Sequence, residues 1–140
     1  CDTKINNMLF DADGRVLCVI DLDTVMPSFI FSDFGDFLRT AANTGDEDDR
    51  DLSRVDFDMD IYRAFREGYL ESAGSFLTET EKGLLPYAAE RFAYMQTVRF
   101  LTDYLNGDTY YRTAYPDHNL IRARAQFKLL RAIEEKLTGE

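Results

Sequence analysis

Asp13-Gly14, set between the β-prone runs Met8-Leu9-Phe10 and Val16 to Ile20, is the feature that most constrains this chain. A tight primed turn needs positive φ, and Gly supplies it without strain, so the spacing predicts a β-hairpin. Folding back on itself brings the two open ends side by side. One end carries Asp2, Lys4 and Asn7, and the other carries Asp21 and Asp23. Carboxylates, an amide oxygen and one ammonium group would then meet at a single edge. Hard oxygen ligands gathered in this way suit Mg²⁺ and its phosphate partners.

The rest of the chain reads as helices. Ser32 or Asp33 can cap a helix carrying Phe34, Phe37, Leu38 and Ala41, closed by Gly45. Asp46 to Asp51 has no apolar periodicity and reads as a solvated acidic loop. Phe57, Ile61, Phe65 and Leu70 recur at helical spacing, which predicts a helix from about Asp56 to Ser72. Thr78-Glu79-Thr80-Glu81 matches a capping box, and a long helical stretch follows to about Leu105, kinked or restarted near Pro86. Asp117 or Asn119 caps a last helix with Leu120, Ala123, Phe127, Leu130 and Leu137 on one face. The expected fold is therefore α+β and mostly helical: one hairpin followed by a helical bundle, with residues 1–140 forming one unit.

Composition narrows the partners. The 140 residues are 45% hydrophobic and 14% aromatic, enough for a real core. A net charge of -10 weighs against nucleic-acid backbones and anionic membranes. Two cysteines, Cys1 and Cys18, form no disulfide framework, and no signal peptide or bilayer-length apolar run is visible, which fits a cytoplasmic protein. The chain opens on Cys1 and enters the acidic loop at once, so it is expected to be the C-terminal part of a longer protein.

Three runs carry a resemblance: Asp2 to Phe10, Val19-Ile20-Asp21-Leu22-Asp23-Thr24-Val25, and Asp33-Phe34-Gly35-Asp36-Phe37-Leu38-Arg39. Together they resemble the aminoglycoside phosphotransferase and choline kinase-like family, and within it the sugar kinases typified by N-acetylhexosamine 1-kinase. The later run from Val98 to Tyr110 is similar to that branch too. The resemblance implies the C-terminal lobe of a protein-kinase-like fold, with the ATP-clamping N-terminal lobe absent from this chain. It implies ATP-dependent phosphorylation of a small-molecule hydroxyl on a sugar or amino alcohol, with an N-acetylhexosamine favoured. Asp2 would be the catalytic base, with Lys4 neutralising the transferred phosphoryl group. Asn7 and Asp21 would hold Mg²⁺, Arg99 and Tyr110 would hold the acceptor, and Asp23, Asp33 and Asp36 would brace the catalytic loop. A lobe lacking its nucleotide-binding partner is expected to phosphorylate nothing at a useful rate.

Two other classes compete. Cys18 to Val25 also fits the opening signature of haloacid dehalogenase-type phosphatases, with Asp21 as nucleophile and Asp23 as acid/base. That fold needs repeated strand–helix alternation afterwards, and the helical remainder weighs against it. The chain could also be a non-catalytic helical interaction module whose exposed apolar face drives self-association.

Overall fold

The structure, a computed structural model, describes residues 1–138. A 3₁₀ turn at Ile5–Asn7 leads into β1 (Met8–Phe10), which pairs antiparallel with β2 (Val16–Val19). Met8 faces Val19 and Leu9 faces Cys18, with a bulge between Leu9 and Phe10. The loop is longer than the two-residue primed turn expected. Of Asp13 and Gly14 only Gly14 takes positive φ, at 80°. Asp11 closes the loop instead: its Oδ1 accepts from the Asp13 and Arg15 amides at 2.9 and 2.8 Å. An Asp carboxylate can mimic a backbone turn in this way.

After a second 3₁₀ turn at Leu22–Thr24 come, among the described residues, five helices, α1 (Ile30–Ala41), α2 (Met59–Ala73), α3 (Glu79–Gly83), α4 (Leu85–Leu105) and α5 (His118–Leu137). The hairpin-then-helices α+β fold is that of a kinase-like lobe. A parallel sheet, which the phosphatase reading requires, is missing among the described residues, where the only sheet is the two-stranded hairpin.

Several element ends moved. Helix α1 starts before Ser32 and Asp33, with Phe29 at the N-cap and no side-chain cap, and ends at Ala41, short of Gly45. Apolar Ile30 and Phe31 pack against the core, so burial sets this start where capping does not. Asp58 caps α2, accepting from the Asp60 and Ile61 amides. The Thr78–Glu81 capping box is present, and the helix restarts at Leu85 with Pro86 in its first turn, where a missing N–H costs nothing. Asp117 sits at the N-cap of α5 but its side chain caps nothing; it takes positive φ and accepts from the Tyr104 hydroxyl at 3.1 Å.

The core lies where α4 packs on both α1 and α5. Phe34 and Leu38 of α1, Leu85, Ala88, Ala89 and Ala93 of α4, and Leu129 and Ile133 of α5 are all fully buried. Small residues on α4 let its neighbours approach. A Cβ on Gly35 would fall inside contact distance of the Ala88 carbonyl and 2.7 Å from Phe92 Cδ2, so only glycine fits at that crossing. Phe65 of α2 stacks on Phe37 at 4.0 Å and lies 5.2 Å from Phe34. Phe127 is exposed, not on the inward face as its spacing suggested. The hairpin stands apart from this core: every residue of β2 is exposed.

Candidate functional site

The 3₁₀ turn at Ile5–Asn7 is strapped to α1. The Ile5 amide donates to Thr40 Oγ1 at 2.9 Å, and the Thr3 hydroxyl donates to the Asp33 carbonyl at 2.6 Å. Asp33 Oδ1 lies 2.7 Å from the Cys1 nitrogen. The second 3₁₀ turn is tied to the same start, since the Thr24 hydroxyl donates to the Cys1 carbonyl at 2.9 Å. The Ile20 amide donates to the Asn7 carbonyl at 2.9 Å and continues the hairpin ladder to the acidic end. Residues distant in sequence are thereby held at one edge.

Asp2 sits at that edge in the left-handed region, φ 57°. Asp tolerates this conformation better than most residues, and such backbone settings concentrate at functional sites. Its Oδ2 accepts from Lys4 Nζ at 2.9 Å and from Asn7 Nδ2 at 3.1 Å. Asn7 Nδ2 also donates to the Asp2 carbonyl at 2.8 Å. Buried Asn7 thus spends its amide nitrogen on Asp2, and its oxygen is the end left for a cation.

Asp21 also takes positive φ, 60°, and is exposed at the N-cap of the Leu22–Thr24 turn. Its carboxyl is raised above the usual range, first by a hydrogen bond with Asp23 and by that residue's charge, then by burial and by the charge of Asp2, with Lys4 opposing. Asp2 and Asp21 therefore share an electrostatic neighbourhood. Two neighbouring carboxylates whose charges oppose each other favour a shared proton or a cation between them. The donor set fits Mg²⁺, which takes few protein oxygens and fills its octahedron with water and phosphate. Among the described residues no group of three or more His, Cys, Asp and Glu is placed to hold a metal by itself.

A cleft of about 950 Å³ opens beside this edge. Asp2 and Lys4 line one side, and Arg99 and Tyr110 line it as well, so the two predicted sets meet in one space. Arg99 stands over the rings of Tyr110 and Tyr111 at 5.8 and 5.5 Å, within cation–π range. Asn7 and Asp21 do not line the cleft, and neither do Asp23 and Asp33. Asp36 does, but its carboxylate is turned to Arg39, whose Nε donates to Oδ1 at 2.9 Å. Only the Asp36 carbonyl reaches toward the loop, through Thr40.

The loop bearing Tyr110 and Tyr111 hangs on one carboxylate. Asp103 Oδ1 accepts from the Thr109 and Tyr110 amides at 3.0 and 2.8 Å, and Oδ2 accepts from the Tyr111 amide at 2.9 Å and Asn119 Nδ2 at 2.8 Å. Burial opposes the charge, but those backbone amides win and hold the carboxyl below its usual range.

Sequence reasoning missed the opposite wall. The acidic run is not simply solvated. Glu47 accepts from Arg39 at 2.8 Å and lies 3.8 Å from Arg122, Asp48 accepts from the Tyr115 hydroxyl at 2.7 Å, and Asp49 is buried. The basic partners of Glu47 are 8 and 75 residues away in sequence, and no local pattern marks the second of them. Gln126 was legible in principle, as a polar residue on the apolar face that Ala123 and Leu130 define.

No helix of the described residues is long and apolar enough to cross a membrane. Compared with known families, residues 1–84 match the model of a family described as the phosphotransferase enzyme family (APH). The match spans the hairpin, both 3₁₀ turns and helices α1 to α3.

Proposed function

The chain belongs to the phosphotransferase enzyme family, and from that premise we propose that it is the acceptor-binding and catalytic lobe of an ATP-dependent sugar kinase, with an N-acetylhexosamine as the favoured acceptor. The observation that carries this reading is the single cleft that holds Asp2 and Lys4 together with Arg99 and Tyr110. An Arg and a Tyr suit a sugar: the guanidinium donates to oxygens, and the phenol can stack or bond.

Asp2 has one carboxylate oxygen engaged by Lys4 and Asn7, which fixes its orientation and leaves the other for the acceptor. The acceptor hydroxyl gives its proton to Asp2 as its oxygen attacks the γ-phosphorus in line. A new O–P bond forms, the bond to the β-phosphate oxygen breaks, and ADP leaves. Lys4 places a positive charge next to the transferred group. Mg²⁺, when held by Asn7 and Asp21, would offset phosphate charge. Asp23 would share that carboxylate edge, and Asp33 and Asp36 would steady the loop through α1. A separate nucleotide-binding lobe would cover the hairpin, where apolar Leu9, Val16, Leu17 and Val19 are all exposed.

Asp2→Asn in the full-length protein tests the mechanism. Turnover should fall by about 10²- to 10⁴-fold with an unchanged circular dichroism spectrum. Turnover equal to the wild type would remove Asp2 from the chemistry. A screen of sugars and amino alcohols for ADP release identifies the acceptor, and preference for a cationic amino alcohol would replace the sugar reading.

A further inference from the structure

Helix α5 buries a polar side chain among apolar ones. Gln126 is 0% exposed, and neither its Nε2 nor its Oε1 has a hydrogen-bond partner. An amide in that state bears the desolvation cost of both groups, so folded proteins rarely keep one. Where a sequence breaks such a rule, the break tends to serve a site. Gln126 lines the same cleft as Asp2 and Arg99, so a molecule bound there is its available partner.

The surroundings define that molecule's chemistry. Arg122 lies one turn earlier on α5, its guanidinium 5.4 Å over the Phe100 ring and its Nη1 3.1 Å from Asn119 Oδ1. Gln96 reaches in from α4 and donates to the Tyr111 hydroxyl at 3.3 Å. Lys4, Arg39, Arg99, Arg112 and Arg122 line the cleft together with Asp2, Asp36, Asp46 and Glu47, and Lys4, Arg39 and Arg122 are each near one of those carboxylates.

We propose that Gln126 is a specificity residue of this cleft. It donates from Nε2 and accepts at Oε1, and so selects a neutral acceptor group that presents both an acceptor and a donor, such as a secondary amide or a pair of neighbouring hydroxyls. An ammonium group offers donors only, leaves Nε2 unpartnered and stands beside Arg122. This inference rests on the sugar-kinase reading.

The test combines calorimetric titration with thermal melting of the full-length protein, comparing wild type, Gln126→Leu and Arg99→Ala. The probes are N-acetylglucosamine, glucose and glucosamine. Wild type should bind the two neutral sugars and bind glucosamine roughly tenfold or more weakly. Gln126→Leu should lose roughly tenfold in affinity for the neutral sugars, yet melt at a higher temperature, because an unpartnered buried amide has been removed. Gln126→Met keeps the unbranched length and serves if branching at Leu disturbs packing. Unchanged affinity with a lower melting temperature would overturn the proposal and assign the amide to a buried water. If Arg99→Ala weakens binding and Gln126→Leu does not, Gln126 alone is excluded. If wild type binds none of the three sugars, the sugar reading falls and this inference with it.

Discussion

The fold disfavours the charge of Asp21. Its carboxyl is raised because it is hydrogen-bonded to Asp23 and faces the charges of Asp23 and Asp2. The folded state therefore binds a proton there more tightly than the unfolded chain does. The associated stability is present below the ordinary carboxylate pKa and is lost as pH rises through the raised value. A divalent cation can take that proton's place. Mg²⁺ affinity should thus increase as pH rises through the raised value and should be accompanied by proton release, read by titration in buffers of different ionisation enthalpy. Affinity independent of pH across the acid range would show that the pair holds no metal. Asp23→Asn removes the largest cause, so the Asp21 carboxyl should return toward its usual range in a carbon-13 NMR titration.

Among the elements, the loop after α4 and the start of α2 depend most on single side chains. Asp103 gathers the amides of Thr109, Tyr110 and Tyr111, and it sets where two of the cleft's aromatic rings stand. Because its carboxyl is held below the usual range, this tether persists above that range and is lost as pH falls through the lowered value. Asp103→Asn keeps the shape but sacrifices one acceptor oxygen. The amides of Thr109 to Tyr111 should exchange faster with deuterium, and KM for the acceptor should rise more than kcat falls. Exchange equal to the wild type would show that packing, not this carboxylate, holds the loop. Asp58 caps α2 through the Asp60 and Ile61 amides. Asp58→Ala should cost about 1 kcal/mol in urea unfolding.

For the whole molecule, one close crossing and one bare face matter most. Helix α1 carries the straps to the Asp2 loop and rests on α4, with Gly35 against the Ala88 backbone. Gly35→Ala must push α1 outward and should destabilise by about 1–3 kcal/mol, measured by urea unfolding. Acceptor affinity should fall with it, since α1 carries the straps to the Asp2 loop and α4 carries Arg99. Meanwhile Leu17, Leu22, Val25 and Phe29 are each at least 60% exposed, so the hairpin side of the chain lacks cover. Expressed alone, these residues should self-associate on a sizing column. A clean monomer would argue against both a missing partner lobe and an interaction module.

The sequence alone determined the hairpin, the succession of helices, the capping box and the order Asp2, Lys4, Asn7, Asp21. These are local signals, readable because turn chemistry and helical periodicity act over a few residues. Tertiary structure decided what depends on distant contacts. It moved the start of α1 to where apolar Ile30 and Phe31 could be buried, and it turned the acidic run from a solvated loop into the partner of Arg39, Tyr115 and Arg122. It also brought Arg99 and Tyr110 to the Asp2 cleft and left Gln126 buried without a partner beneath it. Pairing between residues far apart in the chain is set by how helices cross, and no local pattern records that crossing.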